Sequence, residues 1–166
     1  QNVLYILANR YFKLNDIYEV RDQKVKYAKA VLTGASKQAA IEAAELEKDA
    51  TLYRCHFEFP ASLSLYINDK QIDAIKDGMT YNSLQVQYES LVDMVPSLTE
   101  EEKKQIYAWY KEAREFSMDA ENSDKKHAAF NKYKGRINNY LTKRGYDLVK
   151  ERNEWYKRLK AAGKKI

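Results

Sequence analysis

The sequence predicts an all-α protein, an antiparallel helical bundle of about five main helices and two short ones. Apolar residues recur at steps of three and four through most of the chain, which is the period of a helix with one buried face. Helix-favouring residues are abundant, whereas the 166 residues include only 5 Gly and 2 Pro. No segment alternates polar and apolar residues as a half-buried strand does. Short connections favour antiparallel neighbours, and the length predicts one domain spanning residues 1–166.

The first predicted helix runs from about Asn2 to Leu32. Gly34 suits the left-handed position that commonly follows a helix, and Arg21 interrupts an otherwise apolar seam. Because Gln1 is not Met and already reads as helix, we expect the sequence to begin inside this helix, with an upstream part removed. The predicted seam consists of Leu4, Leu7, Tyr11, Leu14, Tyr18, Val25, Ala28 and Leu32.

The second predicted helix is capped by Ser36 and continues towards Tyr66. Proline lacks the backbone N–H that an inner helical turn needs, and it restricts the residue before it. Pro60 is therefore expected to kink this helix or to divide it near Phe59.

Two short helices follow. Asn68 and Gln71 have the spacing of a capping box, in which each side chain accepts a hydrogen bond from the other residue's backbone N–H. Pro96 cannot continue a helix and ends the second of the two. The predicted bounds are Asn68 to Gly78 for the first, and Thr80 or Asn82 to Val95 for the second.

Three longer helices complete the chain. Thr99 and Glu102 form a second capping box, Ser123 caps the next helix, and Gly145 and Gly163 are terminators. The predicted apolar faces are Ile106, Trp109, Tyr110, Ala113 and Phe116 in a helix ending near Glu121; Phe130, Tyr133, Ile137 and Tyr140 in the next; and Leu148, Trp155, Leu159 and Ala162 in the last.

The net charge of +5 is unevenly distributed along the chain. Residues 125–166 hold 14 Lys and Arg against 3 Asp and Glu, whereas residues 1–124 hold 15 against 21. In one interpretation, basic helices pack beside acidic segments such as residues 42–49 and 100–102. In the other, an exposed basic surface binds an acidic polysaccharide, an acidic protein or a membrane surface. No helix-turn-helix, zinc-finger or RNA-binding signature is present, so nucleic acid is not an expected partner.

Motifs of common catalytic and metal sites are missing from the sequence. There is no P-loop, no Gly-x-Gly-x-x-Gly and no nucleophile elbow. Only His56 and His127 could supply imidazole ligands, and Cys55 reads as a half-buried core thiol. No stretch approaches the roughly 20 apolar residues of a transmembrane helix. We therefore predict a non-enzymatic protein with no metal, no cofactor and no transmembrane segment, with an unrecognised carbohydrate-active enzyme as one alternative.

Aromatic residues supply the first candidate binding positions among the 14 Tyr and 2 Trp. Trp109 and Tyr110 are neighbours, as are Trp155 and Tyr156, and helical neighbours point about 100° apart. One member of each pair is expected in the core and the other at its margin. The marginal rings either pack against the protein or stack on sugar rings.

The second candidate region is a polar cluster inside the predicted helix that Ser123 caps. Gly135 costs about 1 kcal/mol relative to Ala in a helix, which indicates close approach of another backbone or a ligand. Arg136 either binds a ligand or pairs with Asp119 or Asp77 as a buried bridge. The polar residues of this cluster are Arg136, Asn138, Asn139 and Tyr140.

Four stretches, residues 76–81, 113–120, 132–141 and 144–147, together resemble a domain-of-unknown-function family of exported helical proteins from Bacteroidetes-type bacteria. The resemblance is strongest from Lys76 to Trp155. It implies a component of the cell envelope, periplasmic or outer-membrane associated, that acts in polysaccharide utilisation and in carbohydrate-binding complexes. It also implies an export signal and further helix before Gln1. It supplies no catalytic activity to carry over, because the family has none assigned.

The sequence thus predicts a carbohydrate-binding envelope protein, with a helical scaffold that docks an acidic protein as the other alternative. The candidate ligand-binding residues are Asp77, Trp109, Tyr110, Asp119, Arg136, Asn138, Asn139, Tyr140, Tyr146, Trp155 and Tyr156.

Overall fold

The computed structural model describes residues 1–165, and within them the chain forms seven α-helices and no β-strand. The all-α prediction is therefore confirmed. None of the helices in this part of the chain is both long and apolar enough to cross a membrane. The helices are α1 (Asn2–Val31), α2 (Gly34–Leu63), α3 (Asp69–Met79), α4 (Ser83–Met94), α5 (Glu100–Met118), α6 (Ser123–Lys143) and α7 (Leu148–Ala161).

The chain divides into two compact units, with the boundary inside α3 between Ala74 and Ile75. Each unit is described by itself below. That the whole chain folds as one domain stays a prediction.

The first unit is built on an antiparallel hairpin of α1 and α2. Lys13 Nζ lies 3.0 Å from Glu58 Oε2, and Arg21 Nη1 lies 3.5 Å from Glu45 Oε1. Later residues of α1 therefore contact earlier residues of α2, which means that the two helices run in opposite directions. Gly34 has a φ of +57°, the left-handed conformation predicted for it. The two helices have 30 residues each, and the connection between them is two residues long. So short a connection favours antiparallel packing of the helices that it joins.

The predicted seam of α1 is only partly correct. Leu14 is buried, but Leu4 is 70% exposed and Tyr11 is 44% exposed. Arg10 is buried instead, and its guanidinium carbon lies 4.7 Å from the centre of the Phe59 ring. The face of an aromatic ring attracts a cation, and this attraction is stronger away from water. The Phe59 ring therefore stabilises Arg10 at a buried position outside the predicted apolar seam.

The bounds of α2 also differ from the prediction. The helix begins at Gly34 rather than after Ser36, and it ends at Leu63 rather than near Tyr66. It continues through Pro60 and is not divided there. Pro60 lies in the last turn, so only the end of the helix follows the one hydrogen bond that its nitrogen cannot donate.

The second unit packs α4, α5, α6 and α7 around one apolar core. α5 packs against both α4 and α6, and α7 packs against α4 and α6. This core consists of Leu84, Leu91, Val95, Leu98, Ile106, Tyr110, Ala113, Phe130, Tyr133, Ile137 and Leu141.

The helix starts follow local capping chemistry closely. Both predicted capping boxes are present: Thr99 with Glu102, and Asn68 with Gln71. The cap of α6 is Asn122 rather than Ser123, because its side chain accepts from the Lys125 N–H at 2.9 Å. α5 ends at Met118, three residues before the predicted end near Glu121.

Candidate functional site

One margin of the α5 and α6 pair carries three side-chain contacts that cross from helix to helix. We call these six residues the α5/α6 ladder. In order along the helices, the contacts are Trp109 with Tyr140 (ring centres 5.1 Å apart, planes at 85°), Glu112 with Arg136 (3.7 Å), and Phe116 with Tyr133 (6.3 Å, 29°).

The positions of the ladder follow from helix geometry. Trp109, Glu112 and Phe116 are separated by three and four residues, which places them on one face of α5. The deeply buried residues Tyr110 and Ser117 of α5 point roughly 100° away from the ladder around the helix. The ladder therefore lies beside the core, with its outer edge in solvent.

Charge and aromatic faces meet at the middle of the ladder. The Arg136 guanidinium carbon lies 4.8 Å from the Tyr133 ring centre, and the Arg136 side chain is 47% exposed. Burial raises the pKa of the Tyr133 hydroxyl, and the neighbouring Glu112 carboxylate raises it further. Tyr133 thus remains a neutral hydrogen-bonding group, while Arg136 presents a positive edge to solvent.

A row of exposed cations runs along α6 beside the ladder. Lys125, Lys132, Arg136 and Lys143 are separated by seven, four and seven residues, so they lie on one side of the helix. Lys125, Lys132 and Lys143 are all exposed, and we call these three the basic rim. The Arg144 guanidinium carbon lies 5.4 Å from the Tyr140 ring centre and extends the row. On α6, at least, the C-terminal excess of positive charge faces solvent.

A buried ion-pair cluster contains Asp77, another predicted site residue. Arg114 is 2% exposed, and its Nη1 donates to Asp77 Oδ1 at 2.7 Å. Glu115 accepts from Lys76 Nζ at 2.8 Å. Asp77 is thus paired with Arg114, so the predicted bridge between Asp77 and Arg136 is not formed.

The turn between α3 and α4 lies next to this cluster. Tyr81 and Asn82 have φ values of 59° and 53°. Both lie in the left-handed region of backbone conformations, which residues other than Gly rarely adopt. The Tyr81 ring stacks on His127 at 5.1 Å and 17°. Lys126 Nζ donates to the Met79 carbonyl at 2.9 Å. These contacts fasten the turn to the first residues of α6.

Tyr146 belongs to a buried clasp on Glu102. The Glu102 carboxylate is 3% exposed and accepts from Tyr146 Oη at 2.6 Å, Arg144 Nε at 2.6 Å and the Thr99 N–H at 2.9 Å. Burial by itself raises the pKa of Glu102, but these three donors outweigh it and lower the pKa to about 2. The clasp ties the start of α5 to the end of α6, which is a structural task for Tyr146.

The aromatic pairs separate only in part as predicted. Tyr110 is 2% exposed in the core, where burial raises its pKa to about 12, while Trp109 is half-buried at the margin. In α7 neither Trp155 nor Tyr156 is buried. Trp155 Nε1 donates to Asp93 Oδ2 at 2.6 Å, which joins α7 to α4.

The polar residues of α6 do not form one cluster. Asn139 is exposed and Asn138 is half-buried, about 100° away around the helix. A Cβ at Gly135 would have no atom within 4 Å, so the predicted close approach of another backbone was wrong. Asp119 is half-buried at the C-terminal cap of α5, beyond Phe116, which is the last ladder residue of that helix.

Of the predicted site residues, the ladder contains Trp109, Arg136 and Tyr140. Sequence reasoning missed Glu112, and it assigned Phe116 to the apolar face of α5, although Phe116 is 61% exposed. Matching spacings of three and four residues in both helices were the available signal. These spacings identify a shared site only once the structure shows that the row of side chains on α5 faces the row on α6.

The ladder combines four aromatic rings with one carboxylate and one guanidinium. Glycoside hydrolysis generally needs two carboxylates, whereas the ladder has one, Glu112. Within residues 1–165, no group of three or more His, Cys, Asp or Glu side chains is placed to hold a metal ion.

Comparison with known proteins gives one family. A family model described as a protein of unknown function (DUF3826) matches residues 1–161. No curated protein matches the chain.

Proposed function

This chain belongs to the DUF3826 family, and we propose that it is a non-enzymatic cell-envelope protein that binds acidic polysaccharide through the α5/α6 ladder. The observation that carries the proposal is the arrangement of aromatic rings and an exposed guanidinium on one margin, bordered by the basic rim. The resemblance to proteins of polysaccharide utilisation supports the same ligand class.

The aromatic residues suit the apolar faces of sugar rings. Trp109, Phe116 and Tyr140 retain exposed ring area, and Phe116 is 61% exposed although it is apolar. Pyranose rings present C–H groups on one face, and these pack on aromatic faces while the hydroxyls remain in water. The ladder spaces such rings along two parallel rows, as an extended chain requires.

The cations suit the carboxylates of a uronate polymer. Arg136 offers a planar pair of donors, which matches a carboxylate in a way that lysine cannot. Lys132 and Lys143 lie one to two turns from Arg136 and add long-range attraction. A neutral glycan would gain from the rings alone, so the ladder favours an acidic one.

Replacement of Arg136 by Ala is expected to weaken binding of polygalacturonate about tenfold, the loss of one charge-assisted contact. Isothermal titration calorimetry at low and high salt measures this, with dextran as a neutral comparison. The matched control is Lys134→Ala, because Lys134 is an exposed cation of the same helix on its opposite side. Equal affinity of the wild type and Arg136→Ala, or no binding to either polymer, would contradict the proposal.

Docking of an acidic protein is the second candidate, because the exposed side chains of α7 include Lys150, Arg152, Lys157 and Lys160. The double variant Lys157→Glu/Lys160→Glu separates the two functions. It leaves polygalacturonate binding unchanged if the ladder is the site, and it releases an acidic partner captured from envelope extracts if α7 is the site. Arg158 is unsuitable for this variant because it donates to the Asp93 carbonyl at 2.7 Å.

The envelope location is proposed from the resemblance, and it has its own test. Fractionation of the native organism, followed by detection with an antibody, is expected to place the protein in the periplasmic or outer-membrane fraction. Recovery in the cytosolic fraction would remove this part of the proposal without affecting glycan binding.

A further inference from the structure

α2 has a second apolar face that the hairpin leaves uncovered. Its residues follow each other at steps of four and three, and every one of them is exposed in the chain as a whole. We call them the outer seam: Ala39, Ala43, Leu46, Ala50, Tyr53, Phe57 and Ala61.

The outer seam has the period of a helix that packs along another helix. Steps of four and three give the heptad pattern of coiled-coil seams. The residues of α2 that are buried in the hairpin, such as Ala44 and Phe59, lie on its opposite side. Leu46 and Tyr53 are each 68% exposed, and Phe57 is 56% exposed. Burial of these large apolar side chains against a partner helix would remove them from water and favour its binding.

We propose that a second copy of this chain covers the outer seam, with the two α2 helices antiparallel about a two-fold axis near Ala50. The Phe57 ring then meets a small residue across the interface. Phe57 packs on Ala43 of the second copy, Tyr53 lies beside Leu46 of the second copy, and Ala50 faces its own equivalent. A parallel pairing in register would instead place each ring against its own equivalent and each Ala against Ala, which packs unevenly.

The charges beside the seam support the same orientation. In an antiparallel pair centred near Ala50, Glu47, which also pairs with Lys24 of its own chain, faces Arg54 of the second copy. The two-fold axis repeats this contact. Glu42 similarly faces His56 of the second copy, whose ring N–H is a hydrogen-bond donor that suits a carboxylate. A parallel pair would bring Glu42 next to Glu47 of the second copy, which is repulsive.

One like-charge approach remains near the axis, and the hairpin already compensates it. Asp49 would lie near its equivalent in the second copy. Lys48 Nζ lies 3.0 Å from Asp49 within the same chain, which neutralises much of that charge. The arrangement is therefore self-complementary in size and in sign, as a two-fold interface requires.

The experiment is light scattering after size exclusion on the full chain, with analytical ultracentrifugation for affinity. The wild type is expected at twice the chain mass of 19.5 kDa. Glu47→Arg and Arg54→Glu each place like charges together twice, so each is expected to weaken the dimer at least tenfold. The double variant Glu47→Arg/Arg54→Glu exchanges the signs and is expected to restore it.

Two controls separate loss of the interface from loss of folding. Lys26→Glu reverses an exposed charge on α1 and is expected to leave the dimer intact. Phe57→Lys is expected to give a monomer with wild-type helix content by circular dichroism, because Phe57 is more than half exposed within one chain. A wild type that is monomeric at about 100 μM, or a double variant that stays monomeric after both single ones dissociate, would overturn the proposal. The seam belongs to the first unit and the ladder to the second, so this result is independent of glycan binding.

Discussion

Replacement of Glu102 by Gln is expected to lower the free energy of unfolding near pH 7 by about 3 kcal/mol. The carboxylate is buried and accepts three hydrogen bonds, from Tyr146, Arg144 and the Thr99 N–H. Its pKa falls from the ordinary 4.5 to about 2, and each pKa unit corresponds to about 1.4 kcal/mol. A neutral amide keeps the shape but loses the charge that these donors stabilise.

The same residue makes a prediction about pH. Because the pKa of Glu102 is lower in the folded protein than in the unfolded chain, its stabilisation is complete above about pH 4.5. It is lost as the pH falls from about 4.5 towards 2, where the folded form also takes up the proton. The wild type and Glu102→Gln should therefore differ most at neutral pH and converge in acid.

Urea unfolding followed by circular dichroism at pH 7, 4 and 2.5 measures both effects. Glu101→Gln is the matched control, since Glu101 is the exposed neighbour in the same helical turn, and it is expected to change stability by less than about 0.5 kcal/mol. A difference between wild type and Glu102→Gln that is constant with pH would show that Glu102 is not ionised in the way described.

Replacement of Arg114 by Met is expected to cost about 3 kcal/mol or more. Arg114 is 2% exposed and holds Asp77 at 2.7 Å, with Glu115 at 3.4 Å. Removing one partner of a buried ion pair leaves the other charge uncompensated, which typically costs about 3–5 kcal/mol. Lys76 remains beside Glu115 at 2.8 Å and offsets part of the loss.

A second variant tests that explanation. Arg114→Met/Asp77→Asn removes the stranded charge as well, so it is expected to be more stable than Arg114→Met alone. Chemical unfolding of both variants at pH 7 measures the difference. Arg136→Met is the control, because its pair with Glu112 is half-exposed and such pairs contribute about 1 kcal/mol or less. Equal losses for Arg114→Met and Arg136→Met would contradict the assignment of a buried pair.

Features that depend on a few neighbouring residues were predicted well. Both capping boxes are present, and Gly34 and Gly145 have positive φ values where helix ends were expected. These features rest on hydrogen bonds and steric limits within one turn of chain. The helix count and the bounds of α1 followed from the same local signals.

Side-chain assignments to the core were less reliable. Phe116 fits the apolar stripe of α5 and yet is 61% exposed, while Arg10 lies outside the predicted seam of α1 and is buried. The apolar face of a helix is wider than the surface that its neighbours cover. The position of the partner helix therefore decides whether a residue at the edge of that face is buried. The expected partners of Arg136 failed for the same reason, since Glu112 reaches it from α5.

Short stretches of sequence could not predict which residues share the candidate site. Trp109, Arg136 and Tyr140 were each singled out, but as members of separate groups. Their common margin exists because α5 and α6 pack in one particular register, which no short stretch of sequence specifies. Tyr146 was singled out with them and proved to hold Glu102 instead.

By itself, the sequence determined that this protein is helical, which capping boxes begin two of its helices, and that its C-terminal part carries excess positive charge. Those properties depend on interactions between residues within about four positions of each other. The tertiary structure decided which arginines are buried, which carboxylate meets which cation, and that an aromatic and cationic row lies along α5 and α6. It decided these because burial and pairing depend on the register between distant helices, and that register is set by the packing of all their side chains together.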